Sequence, residues 1–345
     1  MGPEPLLGTA VTTTRDADVA ALEKGVGPRR DVRALAAHQT AGPLAALVVA
    51  VIVFALSTST FFNSENLALI AQQSVVVGTL ALGQTLIILT SGIDLANGAI
   101  LVLGSVVIGK TAVHNDPVLA ALIGLAVCVV VGSVNGVLVS LLKLPPFIVT
   151  LGVMSVVAAA SRLYTSSQSY PIDSDFLTFL NRGPTAGGVT ITYGVMLWVV
   201  LTAVLGYVLS QTSWGVRVYA VGDNHKAAEL AGIKVKRILL SVYVVAAIVY
   251  FFAAWQALGR TPTADPSGYT NANLDSITAV VIGGTSLFGG RGGVVGTFIG
   301  ALIVTVLQNG LTQAGIDSLY QQVATGVLVV IAVGVDHLVR RRQTR

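Results

Sequence analysis

Apolar runs long enough to cross a bilayer recur along the chain from about residue 40 to its end, and this repetition limits the fold more than any motif does. They fall at about 43–62, 67–89, 95–113, 118–141, 147–163, 190–211, 238–258, 274–289, 293–312 and 319–339. A hydrocarbon core of about 30 Å needs roughly 20 such residues. Backbone amides cannot stay unpaired in lipid, so runs of this length are helices; a barrel would show alternating strands of about ten residues. Only 10% of the residues are charged, and mean hydropathy is +0.80; soluble domains carry roughly 25% charge. The expected fold is all-α: a polytopic integral membrane protein of about ten transmembrane helices. The eighth run is short and rich in Gly and Thr, so with the ninth it is a candidate for a broken or re-entrant hairpin. Either version leaves the C-terminus on the same side.

Placing the N-terminus inside puts sixteen of the 20 Lys and Arg on the inner side and leaves Lys110, Arg162, Arg182 and Arg260 outside. That asymmetry follows the positive-inside rule, so both termini and the polar island between Gln211 and Ile238 are expected in the cytoplasm. The domain reading is a flexible tail over 1–42, a single membrane domain over 43–340 containing a cytoplasmic loop at 212–237, and a basic end at 341–345. No apolar run in the first 40 residues has the form of a signal-peptide core. Cation placement explains the net charge of +4, which leaves nucleic-acid binding a poor reading. Cys128 is the sole cysteine, so no intrachain disulfide can form and a Cys-based metal site is unsupported. Neither metal nor cofactor is expected.

Gly104, Gly109, Lys110 and Thr111 satisfy the pattern of a phosphate-binding loop. Such a loop must follow a strand and open a helix. Here the intervening residues continue an apolar run, so the expectation is a lysine snorkelling at a helix end. Small residues four apart, at Gly132 and Gly136 and at Gly292, Gly296 and Gly300, suit close helix packing. The acids nearest the spans are Asp94, Asp275, Asp317 and Asp336, all at or near expected ends. This disfavours an ion-coupled carrier, which keeps ionisable groups inside the membrane. No catalytic pair stands at reactive spacing, so an enzyme is the least favoured class. The spans hold neutral polar groups instead, which suit an uncharged polyhydroxylated solute or simple interhelical bonding.

Four runs then carry a resemblance: GQTLIILTSGIDLANGAILVLGS from 83, GSVNGVLVSLLKLPPFIVTLGVMSV from 132, AVGDNHKAAELAGI in the island, and ITAVVIGGTSLFGGRGGVVGTFIGALI from 277. In that order, over about 65–340, they resemble the permease subunits of ribose-type ABC importers, a family shared with branched-chain amino acid permeases. The chain departs mildly, with Ala96-Asn97-Gly98 where relatives commonly have Ser-Val-Gly. The resemblance implies a transmembrane subunit in the inner (plasma) membrane that has no ATPase site of its own. It implies three partners: a second permease copy or close paralogue, cytoplasmic ATPase subunits, and an extracytoplasmic binding protein delivering a monosaccharide such as ribose, xylose, arabinose or galactose. The alternatives are a secondary carrier and a facilitator or channel for a small neutral solute.

The island can form a short coupling helix. Asp223 or Asn224 can serve as N-cap, His225 to Ala231 favour helix, and Gly232 suits a left-handed stop. Ala227, Leu230 and Ala231 share one face by their spacing, with Ala228 beside them. Candidates for the translocation path lie near the two interrupted regions, where broken backbone is tolerated if it is enclosed by protein or lines a cavity. They are Gln84, Thr90, Asp94, Asn97 and Asn135 on one side, and Thr285, Ser286, Gln308 and Asn309 on the other. Asp94 has a second reading, as a cap on the helix that follows it.

Overall fold

The computed structural model describes residues 32–58, 60–187 and 189–343; the first 31 residues of the expected tail and the last two of the basic end lie outside them. The chain forms α1 (Val32–Ser57), α2 (Ser64–Leu89), α3 (Asn97–Ala112), α4 (Pro117–Ser140) and α5 (Pro146–Thr165). After the two-residue strand β1 (Tyr170–Pro171) come α6 (Asp175–Thr178), a 3-10 turn at Phe179–Asn181, and the strands β2 (Thr185–Ala186) and β3 (Val189–Thr190). Then follow α7 (Tyr193–Gln211), α8 (Ser213–Asp223), α9 (His225–Leu230), α10 (Val235–Arg260), strand β4 (Thr263–Ala264), α11 (Ala272–Ile282), α12 (Val294–Gln313) and α13 (Ser318–Gln343). Each expected apolar run overlaps one of these helices. Seven of them are long and apolar enough to cross a membrane: α1, α2, α4, α5, α7, α10 and α12. The apolar stretches of α3, α11 and α13 are shorter.

Local chemistry sets the helix ends. The Asn63 side chain accepts from the Glu65 amide ahead of α2, and Asp116 accepts from the amides of Val118 and Leu119 ahead of Pro117 in α4. These caps satisfy donors that a helix start leaves free. α5 likewise opens on Pro146, whose missing N–H costs nothing there.

α2 and α10 form the buried centre. α10 packs on α3 and α4, while α2 packs on α11 and α12; α3 packs on α4 and α5, while α11 packs on α12 and α13. Exchanging α2–α5 with α10–α13 therefore maps the packing onto itself. Small residues permit the closest approaches. A Cβ on Gly132 would lie 2.4 Å from Ala247 Cβ, and one on Gly296 only 2.0 Å from the Gly283 carbonyl oxygen. Of the second small-residue series, Gly292 belongs to a loop, whereas Gly296 and Gly300 lie on the α12 face that meets α11.

At one end of the bundle β1 pairs antiparallel with β4, Tyr170 opposite Ala264 and Pro171 opposite Thr263. Lys110 sits there, donating to the Tyr164 carbonyl with its ammonium 4.4 Å from the Tyr164 ring centre. Gly104 and Gly109 are helical and tightly packed, so the phosphate-loop pattern has no loop to act through. Large apolar side chains such as Val49, Val130, Val156 and Val200 stand exposed on α1, α4, α5 and α7, the surface a hydrocarbon solvent requires.

Candidate functional site

Two helix starts that follow breaks meet inside the bundle. α2 stops at Leu89, Thr90–Ala96 cross without helix, and α3 starts at Asn97; correspondingly α10 stops at Arg260 and α11 starts only at Ala272. α11 has 11 residues, about 16 Å at 1.5 Å per residue, roughly half of a hydrocarbon core. The two helix starts touch. Asn97 Nδ2 donates to Ser276 Oγ at 2.8 Å, Asn273 Nδ2 donates to the Leu95 carbonyl at 3.4 Å, and a Cβ on Gly98 would stand 3.2 Å from the Asn273 nitrogen.

Gln84, on α2, holds the first break. With its amide turned to satisfy both neighbours, Nε2 donates to the Asp94 carbonyl at 3.0 Å and Oε1 accepts from the Asp94 amide at 3.2 Å. The Asp94 carboxylate accepts from the Ala96 amide at 2.8 Å. Asp94 therefore shapes the turn ahead of α3, while the N-cap position itself is Ala96, which has no side-chain cap. The sequence placed Asp94 near a span end; it is instead enclosed, 1% exposed. The Tyr250 ring lies against Gly83, and the Tyr243 hydroxyl lies beside Gly92. Thr150 ties α5 to the same break, donating to the Ile93 carbonyl at 3.0 Å and accepting from the Leu95 amide at 3.1 Å.

The remaining candidates are dispersed. Thr90 closes the end of α2 by donating to the Ile87 carbonyl at 2.8 Å. Thr285 Oγ1 accepts from the Gly293 amide at 3.2 Å, and the Ser286 amide donates to the Arg291 carbonyl at 3.1 Å, so both shape the glycine-rich loop between α11 and α12. Asn309 Nδ2 donates to Asn66 Oδ1 at 3.0 Å, pinning α12 to α2 far along the chain from the break. Gln308 beside it is half-buried. Asn135 is fully buried on α4, and neither polar atom of its side chain finds a partner among the described residues. No group of three or more His, Cys, Asp or Glu is placed to hold a metal among the described residues.

The polar island folds into two helices. Asn224 rather than Asp223 caps the second, its Oδ1 accepting from the Ala227 amide at 3.0 Å, and Asp223 closes the first. α9 spans six residues and stops before Gly232, whose φ of +81° is left-handed. Ala228 faces the protein and is buried, while Ala227, Leu230 and Ala231 face outward; Leu230 is 91% exposed.

A family model described as the branched-chain amino acid transport system / permease component matches residues 66–333. The fructose import permease protein FrcC of Rhizobium meliloti is 42% identical over 87% of this chain and 85% of its own length. The ribose import permease protein RbsC of Bacillus subtilis is 37% identical, covering 86% and 92%, and the D-allose transport system permease protein AlsC of Escherichia coli is 32% identical, covering 86% and 90%. The chain belongs to this permease family. Its similarity is to the ribose-type monosaccharide permeases of ABC importers. No solved structure matches it.

Two features of this permease were not anticipated from the sequence, although one of them left a signal there. Helix α8 was legible, since Thr212 precedes Trp214, Val218 and Val221 at helical spacing, and Thr212 does cap it. Ser276 and Asn273, the partners of the first break, carried no local signal: they lie about 180 residues from Asn97 and Leu95.

Proposed function

We propose that the chain is the membrane-spanning subunit of an ATP-driven importer in the plasma membrane, moving a monosaccharide by alternating access. The relatives named for fructose, ribose and allose support the sugar class. The observation that carries the energy-coupling part is α9: a capped, outward-facing helix with Ala227, Leu230 and Ala231 exposed, flanked by Lys234, Lys236 and Arg237. In this reading α9 lies in the cytoplasm and seats in a groove of the ATPase subunit. Both termini lie on the same side, and residues 43–340 act as one membrane domain.

Gln84, Thr90, Asp94, Asn97 and Asn135 are each at most 3% exposed, and Gln84 and Asn97 are bonded to other residues of the two breaks. We assign these residues, with Thr285, Ser286 and Asn309, to holding the helix breaks and joints. The solute path then requires a second permease copy. An open stripe of small residues on α5, Gly152, Ser155 and Ala159, would let a partner helix approach closely. A binding protein would meet the opposite end, around β1 and β4.

The test is reconstitution in liposomes with the ATPase and binding protein, measuring uptake of fructose, ribose, allose, xylose, arabinose and galactose. Uptake that needs ATP and the binding protein is expected. Uptake by the chain alone would make it a facilitator, and uptake abolished by an ionophore but indifferent to ATP would make it a secondary carrier.

A further inference from the structure

Three stretches of main chain meet without side chains between them where α2 ends. Gly222, in the last turn of α8, lies so close that a Cβ there would stand 1.7 Å from the Leu89 carbonyl oxygen and 2.7 Å from the Gly290 nitrogen. The Gly290 amide in turn donates to that Leu89 oxygen at 3.0 Å. Tyr219, one turn earlier on α8, donates its hydroxyl to the Gly292 carbonyl at 2.9 Å. Into this junction reaches Ser91, whose Oγ is 2.8 Å from the Gly222 carbonyl and 2.8 Å from the Phe288 carbonyl.

A serine hydroxyl has one proton, and both neighbours are acceptors. Only one of them can hold a straight hydrogen bond at a time. The serine also sits at φ +63°, a conformation glycine adopts freely and other residues resist. What serine adds over glycine at this position is a hydroxymethyl group, whose polar part is the hydroxyl.

We propose that Ser91 is a positioning residue that couples movement of α8 and α9 to the helix breaks, its proton passing between the Gly222 and Phe288 carbonyls as α8 shifts against the glycine loop. This rests on the reading of α9 as the ATPase contact. Glycine-to-backbone packing leaves no compliant side chain to absorb the displacement, so motion of α8 is delivered to the end of α2 and to the loop joining α11 with α12. Those helices carry Gln84, which clamps Asp94, and Ser276, which holds Asn97. An unbroken series of contacts therefore runs from the exposed face of α9 to the junction of the two breaks.

Two measurements test this. In the purified chain, Ser91→Gly preserves the backbone conformation and removes the hydroxyl. Hydrogen exchange at the Gly290 amide is expected to rise about tenfold, with no change in the interior of α10; unchanged exchange at Gly290 overturns the proposal whatever the protein transports. In the full reconstituted complex, Ser91→Gly should keep sugar-stimulated ATP hydrolysis within about twofold while sugar moved per ATP falls about fivefold or more. Ser91→Asn tolerates the left-handed backbone and brings two N–H donors, enough to bond both carbonyls at once; it should slow hydrolysis itself. Uptake and hydrolysis falling in equal proportion in Ser91→Gly, or both staying at wild-type levels, overturns the coupling role. A wild-type complex that hydrolyses ATP without moving any sugar instead overturns the importer reading on which the coupling role rests, and the exchange result still judges the junction.

Discussion

Replacing Gln84 by Met keeps the side-chain length and volume but removes the amide that faces the Asp94 main chain. In the native chain one amide satisfies both the Asp94 N–H and its C=O, at 3.2 and 3.0 Å. Gln84 is fully buried and Asp94 nearly so, so no solvent replaces those bonds. A buried donor or acceptor left without a partner costs about 1–3 kcal/mol, so two give roughly 2–6 kcal/mol. Methionine recovers about 1–2 kcal/mol of that, because glutamine no longer has to be desolvated. Taking the middle of each range, the expected net loss is about 2.5 kcal/mol. Denaturant titration in detergent micelles, followed by the midpoint and slope, measures it. Gln84→Glu should be worse than Gln84→Met, since it keeps an acceptor for the Asp94 N–H, offers its C=O no donor, and adds a second carboxylate beside Asp94. A Gln84→Met midpoint equal to wild type would refute the clamp, as would Gln84→Glu proving the milder change.

Leu230→Arg should leave stability within about 0.5 kcal/mol, because the side chain lies on the surface, yet abolish stimulation of ATP hydrolysis by sugar-loaded binding protein. Ala228→Arg is the contrasting variant: it puts a charge on the buried side of α9, so limited proteolysis should show the helix unseated. Asn224→Ala removes the cap on α9 and should destabilise that helix by about 1 kcal/mol, read as faster amide exchange at Ala227. Gly296→Ala forces α12 away from α11, where the added Cβ would stand 2.0 Å from the Gly283 oxygen; a loss of about 1–3 kcal/mol is expected in the same titration.

The sequence exposed the helices but not how they fit together. Apolar runs of bilayer length found every long helix, because a membrane leaves the backbone little other choice. The stop at Gly232 and the N-cap at Asp223 or Asn224 were legible for a similar reason: caps act over three or four residues. The exposed face of α9 followed from spacing, with Ala227, Leu230 and Ala231 outward. The burial of Asp94 did not follow. A run-based reading assigns an acid near a helix end to the membrane surface, and only tertiary packing decides whether that end lies in the headgroups or inside the bundle. Asn309 was grouped with Thr285 and Ser286 by nearness in sequence, yet its partner is Asn66, on the other central helix.

The two breaks explain why α3 and α11 can be so short. Opening a helix inside a bilayer frees main-chain donors and acceptors that lipid cannot satisfy. Here each break is completed by the other: Asn97, from the first, bonds Ser276 at the start of α11, and Asn273, from the second, bonds the Leu95 carbonyl ahead of α3. Neither half could be opened alone without leaving polar groups unpaired. The exchange symmetry of α2–α5 with α10–α13 is therefore more than a resemblance of packing. It places two breaks of opposite sequence direction face to face, where Asn97 and Asn273 can each reach across. Local sequence gives no hint of that arrangement, since Thr90–Ala96 and Thr261–Asn271 share neither length nor composition. What they share is position after a central helix, and each leads its following helix start to the same place, where Asn97 meets Ser276 and Asn273 meets Leu95.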